Sequence, residues 1–172
     1  LPSTICLINN IDPEHLDFYG TFEKLKKAFI KYTDNVPFYG FISICADHEN
    51  LKTLIKKITN KKIITFGLTK SAGISAKNIK VIEKNEVFYT QFDLIINIKE
   101  YDEMKNIIVP ILGDHNLRNT LGAISIGLNL GVKKNKIKSA LRNFKGVKRR
   151  FTLVAKINNA KIFDDYAHHP KE

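Results

Sequence analysis

The sequence predicts an α/β fold: a mostly parallel sheet flanked by helices, with a small antiparallel β-subsheet appended. Three observations predict it. Short apolar, β-rich runs alternate with amphipathic helical stretches from Thr4 to Gly67. The helical period then vanishes between Gly73 and Pro110, where short alternating segments take over. Two helical stretches follow, and after them come two strand-like segments around Asn158-Asn159. Strand–helix–strand alternation calls for parallel pairing with right-handed crossovers, because antiparallel neighbours need no helix between them.

The first predicted strand is residues 4–8, short and apolar. Thr21 is placed to cap a helix on which Phe22, Leu25, Ala28, Phe29 and Tyr32 make one stripe, with Lys24, Lys27 and Lys31 off it. That helix should stop near Asn35, ahead of Pro37. Phe41–Cys45 is the second strand; Asp47 then caps a helix running to about Lys57, with Leu51, Leu54, Ile55 and Ile58 on one face. Lys62–Phe66 is the third strand. The subsheet is expected from Ile74–Ile82, Val87–Phe92, Leu94–Ile98 and Ile107–Leu112. A helix bearing Leu121, Ile124, Ser125 and Leu128 ends near Gly131, and a second spans about Lys134 to Phe144. Val147–Ala155 and Lys161–Phe163 form a closing hairpin.

With 172 residues, 44% hydrophobic, the chain holds one domain or one domain and part of another. No apolar run approaches the ~20 residues that span a bilayer. The formal charge of +11 raises a nucleic-acid hypothesis. The basic residues argue against it: four of the 28 are Arg, and the lysines are scattered rather than interleaved with aromatics. The two cysteines, Cys6 and Cys45, sit in aliphatic runs and read as buried reduced thiols of a cytoplasmic protein. The chain begins abruptly at Leu1-Pro2 and closes on no helix, which suggests a piece of a longer protein.

Three polar clusters carry the functional reading. Asn9 to Tyr19 sets one imidazole, His15, among Asp12, Glu14 and Asp17 where a strand ends. That is a cradle for a divalent cation and its phosphates, or else a helix start capped by Asp12 with His15 on the surface. Asp114 to Asn119 puts Asn116 and Asn119 on one face of a helical turn; their carboxamides suit the donor–acceptor edge of adenine, unless Asp114 or Asn116 is simply an N-cap. The third joins Lys148-Arg149-Arg150 to Asp164-Asp165-Tyr166 and His168-His169 across the hairpin. Arg offers a fork for phosphate and Asp an acceptor for ribose hydroxyls, against the alternative of a surface ion pair. A zinc site at the paired histidines lacks a Cys or third His at zinc spacing.

Five motifs occur in order: Asn10–Asp17, Val36–Gly40, Gly113–Asn119, Gly146–Phe151 and Asp164–Pro170. Together they resemble the Mur ligases over nearly the whole chain, and most of all the branch that joins L-alanine to UDP-N-acetylmuramate; the last motif is the most specific. The resemblance implies a P-loop-type central ATP-binding domain over residues 1–145 and, over 146–172, the first hairpin of a carboxyl-terminal domain. It implies ATP-dependent amide formation in cell-wall synthesis through an acyl phosphate, with ATP and Mg2+ as cofactors. It further implies that His15 holds magnesium, that His115, Asn116, Asn119, Arg150 and Asp165 bind ATP, that Tyr166 and His168 face substrate, and that His168 is catalytic. The family's glycine-rich phosphate loop is expected upstream of Leu1, so these residues alone are expected not to turn over. A folylpolyglutamate synthase-like ligase is the nearest alternative, and a basic nucleic-acid-binding domain the distant one.

Overall fold

In the parallel part of the sheet, side chains alternate between two covered faces, and that explains its composition. The computed structural model describes residues 3–85, 87–98, 101–150, 152–158 and 160–167. Strands β1 (Ile5–Ile8), β2 (Phe41–Cys45) and β3 (Ile63–Gly67) run parallel, with Cys6 opposite Ile42 and Ile42 opposite Ile63. All five residues of β2 are buried. A central strand covered on both sides has no face for water, so it reads as a continuous apolar run.

The connections lie as the hydrophobic stripes require. A single helical turn, α1 (Leu16–Tyr19), precedes α2 (Phe22–Asp34). Thr21 caps α2, its hydroxyl accepting from the Lys24 amide at 3.2 Å, and the helix ends at Asn35 as expected. Helix α3 (Glu49–Ile55) leads to β3. Asp47 does not cap it: α3 starts at His48 with no side-chain cap, because the Asp47 carboxylate is engaged elsewhere. Cys6 and Cys45 are both buried thiols. Burial pushes Cys6 up to about 11, against a smaller opposing effect from Tyr32 of α2, and likewise raises Cys45.

The six-stranded sheet has the order β1-β2-β3-β4-β5-β6. Strand β4 (Ile74–Lys84) starts parallel to β3 and then pairs antiparallel with β5 (Val87–Asn97), which pairs antiparallel with β6 (Tyr101–Val109). Two expectations are corrected here. Val87–Asn97 is one strand rather than two, with Thr90, Phe92, Leu94 and Ile96 buried in unbroken alternation. The last strand begins at Tyr101 and ends at Val109 instead of spanning Ile107–Leu112. The interruptions lie in the neighbours of β5. Register slips between Lys77 and Lys80 on β4, and between Phe92 and Leu94 on β5, leave an extra residue in β4 and in β6. Asn78 and Asn106 mark them, with φ of 54° and 55°. Asp93 of β5 ties both bulges, accepting from Asn78 Nδ2 and from the Asn106 amide, each at 2.8 Å.

Helix α4 (Asp114–Asn129) packs on β2, β3 and β4, and α5 (Lys134–Arg142) on β6. A Cβ on Gly122 would meet Leu7 and the Phe66 ring at 3.1 Å, so this position lets α4 sit close to the sheet. Within that contact Ser125 donates to the Gly122 carbonyl at 2.6 Å, and the Ser43 hydroxyl of β2 bonds the Ser125 hydroxyl, both residues fully buried. Strands β7 (Thr152–Ile157) and β8 (Ala160–Asp164) form a second, two-stranded antiparallel sheet. Among the described residues no helix is long and apolar enough to cross a membrane.

Candidate functional site

The carboxyl ends of β1, β2 and β3 point the same way, and the polar residues after each strand meet α4 there. In open α/β sheets that edge is where ligands gather, since loops diverge from it and leave a crevice. From β1, Asn9 Nδ2 donates to Asn119 Oδ1 at 2.9 Å, so the first and second sequence clusters are joined directly. From β2, Asp47 accepts from three donors: the amides of Leu68 and Thr69, after β3, at 2.7 and 2.9 Å, and Arg118 Nε of α4 at 2.8 Å. Burial drives the Asp47 carboxyl upward; the two amides and the guanidinium outweigh it and hold it below the ordinary value. Next to it, His48 Nε2 lies 3.5 Å from Asp12 Oδ1. Asp12 also accepts from Asn10 at 2.9 Å, and Asn50 Nδ2 donates to the Ile11 carbonyl at 3.0 Å. The loop after β1 is thus fastened to the loop after β2.

His15 stands at the exposed end of this loop. It takes the left-handed conformation, φ 54° and ψ 34°, and its carbonyl accepts from Phe18 and Tyr19, which starts α1. Asp12 is therefore no helix cap. A hollow of about 150 Å³ lies beside it, lined by Asn10, Ile11, Asp12, Glu14, His15, Leu25 and Phe29.

The N-cap of α4 is Gly113, at φ 87°, and neither Asp114 nor Asn116 caps it by side chain. A Cβ at Gly113 would come within 2.9 Å of the His115 ring, so glycine leaves that imidazole its place. Asn116 turns back along the helix, Nδ2 donating to the Leu112 carbonyl at 2.9 Å, whereas Asn119 faces Asn9. The two carboxamides share a helix face as expected but not a partner.

The third cluster is held within its own hairpin. The Tyr166 amide donates to the Arg149 carbonyl at 2.8 Å, the Arg149 guanidinium lies 4.5 Å from the Tyr166 ring centre, and its Nε is 3.8 Å from Asp164. Asp165 accepts from the Ala167 amide at 2.8 Å, and the Arg150 amide donates to the Val147 carbonyl at 3.2 Å, closing the turn before β7. His168 and His169 lie outside the described residues. Sequence reading passed over Asp47, His48 and Arg118. The signal available was an Asp-His pair one residue beyond a buried strand.

Two buried polar atoms at this rim, Asn9 Oδ1 and His48 Nδ1, have no hydrogen-bond partner among the described residues. Buried polar atoms are normally paired, so the rim fits a polar ligand that would complete it. A complete metal site is not assembled: among the described residues no three His, Cys, Asp or Glu side chains come together as one. In the loop read as a cation cradle, Asp12 is drawn to Asn10 and His48.

What the parallel strands and this rim define is an α/β domain with its binding groups at the strand carboxyl ends. A family model described as the Mur ligase middle domain matches residues 1–127, and the chain belongs to the Mur ligase family. It is 46% identical, over its whole length, to the UDP-N-acetylmuramate–L-alanine ligase of Rickettsia rickettsii, of which it spans 36%. Among solved structures, the UDP-N-acetylmuramate-alanine ligase of Thermotoga maritima superposes with a TM-score of 0.78 at 25% identity, covering 99% of this chain and 36% of that one. The MurF ligase of Thermotoga maritima in complex with ADP gives 0.74 at 17% identity, covering 99% and 37%. The chain therefore spans about a third of the length of the relatives it matches.

Proposed function

We propose that this chain supplies the middle domain of an ATP-dependent ligase that joins L-alanine to UDP-N-acetylmuramate. One observation carries the reading: identity of 46% across every element of the chain to a ligase named for those two substrates. The rim at the strand ends supports it, since Asn9 and Asn119 tie the loop that bears His15 to the helix that bears His115.

In this reading His115, Asn116 and Asn119 meet adenine. Arg150 and Asp165, on the hairpin from residue 146 that begins the next domain, meet a phosphate and the ribose. Tyr166 and His168 face the muramyl and alanine groups, with His168 at the reacting centre. ATP supplies a phosphoryl group to the muramyl carboxylate; the alanine amine attacks the acyl phosphate, a C–N bond forms, and phosphate leaves with the C–O bond electrons. This chain's part is to hold the nucleotide, because a phosphoryl transfer depends mostly on positioning. Magnesium carried by the nucleotide would take His15 of this chain as a ligand.

The test is ADP release by the full-length protein that contains this sequence. Release that requires both UDP-N-acetylmuramate and L-alanine is the expected result. Release that ignores L-alanine, or none at all, overturns the assignment.

A further inference from the structure

Arg118 and Asp47 belong to no role assigned so far, yet they occupy a commanding place. His115, Arg118 and Asn119 stand at i, i+3 and i+4, which puts them on one face of α4. Arg118 shares that face with His115 and Asn119, two of the three side chains proposed to meet adenine. Its Nε reaches across to Asp47, 71 residues away, at 2.8 Å. The same carboxylate takes the two amides that open the loop after β3. Asp47 is packed tightly in this position: a Cβ on Gly67 would fall 2.5 Å from its Oδ1. Only 13% of its side chain is exposed, against 34% for Arg118.

We infer that Asp47 and Arg118 are a positioning pair for the nucleotide, setting where His115 and Asn119 stand relative to the strand ends. The inference rests on the proposed function and deepens it. α4 is tied to β1 through Asn9–Asn119 and to the loops after β2 and β3 through Asp47–Arg118. Two ties from separate strands fix both the height and the rotation of the helix end. A planar guanidinium bound through Nε is directional in a way an ammonium is not, so lysine would not substitute fully. A displacement of an ångström at a binding face is enough to weaken a ligand held by short hydrogen bonds.

The test uses the full-length protein, with binding of a non-hydrolysable ATP analogue read by calorimetry beside steady-state kinetics. Arg118→Met, which keeps the stem and removes the donor, should weaken analogue affinity and raise KM for ATP about tenfold, leaving KM for L-alanine within about twofold. Arg118→Lys, the milder variant, should shift the same constants by about threefold. Adding Asp47→Asn to Arg118→Met should make little further difference, because both act through one contact. A merely structural pair would lower melting temperature and kcat together and leave both KM values alone; that outcome overturns the inference. Unchanged nucleotide affinity in the folded lysine variant also overturns it. Failure of the unsubstituted protein to bind the analogue would sink the proposed function and this inference with it, whereas normal binding by the unsubstituted protein and both variants sinks the inference alone.

Discussion

Asp47, at the carboxyl end of β2, and Asp93, in the middle of β5, are both carboxylates held below their ordinary pKa, and their partners differ in kind. Asp47 is pushed up by burial and pulled down further by the Leu68 and Thr69 amides and by Arg118. Asp93 is lowered first by the Asn106 amide and then by the Asn78 side chain. Asp47 joins segments 21, 22 and 71 residues distant; Asp93 joins residues 13 and 15 away in a meander of neighbouring strands. The contrast teaches where each half of the sheet puts its polar chemistry. In the antiparallel half a carboxylate stabilises local bends that the strand ladder has already brought close. In the parallel half it fastens the loops just beyond the ladder to each other and to α4, 71 residues on, and so it defines the geometry of the rim.

The largest effect that could break this comparison comes from Asp47→Ala. Removing it strands a guanidinium and two amides, and the free energy of unfolding should drop by roughly 3 kcal/mol, read from urea melts. Next is Gly67→Ala, which sets a methyl against the Asp47 carboxylate; overpacking of this sort costs about 2 kcal/mol, and the loss should shrink when Asp47→Ala is also present. Asp93→Ala should cost about 1 kcal/mol, since Asn78 and Asn106 can turn to water. Equal losses at Asp47 and Asp93 would erase the distinction. The smallest effect is in acid. A carboxylate depressed by folding adds stability that is complete above its unfolded value, 3.8, and is lost as pH falls through the lower folded value. Stability should therefore decline below pH 3.8, and Asp47→Asn and Asp93→Asn should each flatten that decline, with the urea midpoint as readout.

Much of the fold was legible because burial writes a period into the chain. Phe41–Cys45 matched its strand residue for residue, since a strand covered on both faces is apolar but for a hydroxyl, Ser43, that finds a buried partner. Thr21 matched its cap because the local rule is short-ranged. The reading failed where a polar residue had a partner distant in sequence. Asp93 looked like a break in a strand, yet it faces outward from an unbroken alternation and serves bulges in other strands. Residues 101–106 looked like a loop because Asp102, Glu103 and Lys105 are polar, though Met104 between them is buried. Asp47 looked like a helix cap for the same reason: nothing near it in sequence reveals Leu68, Thr69 or Arg118. The site divided along this line. Asn116 and Asn119 stand out as candidates within one helical turn, and His115 enters through the resemblance, whereas Asp47, distant in sequence, does not stand out.

The buried hydroxyl pair of Ser43 and Ser125 has a mechanical consequence. Hydrocarbon contacts tolerate sliding, so an apolar helix can ride along a sheet with little penalty. Two hydroxyls that meet only in one setting act as a detent. Slipping α4 by one residue would swing Ser125 by about 100° around the axis and leave the Ser43 hydroxyl unmatched in an apolar layer, while Ser125 kept its bond to Gly122. That stop lies six residues along α4 from Asn119, and it fixes the azimuth from which every side chain at the helix entrance is aimed.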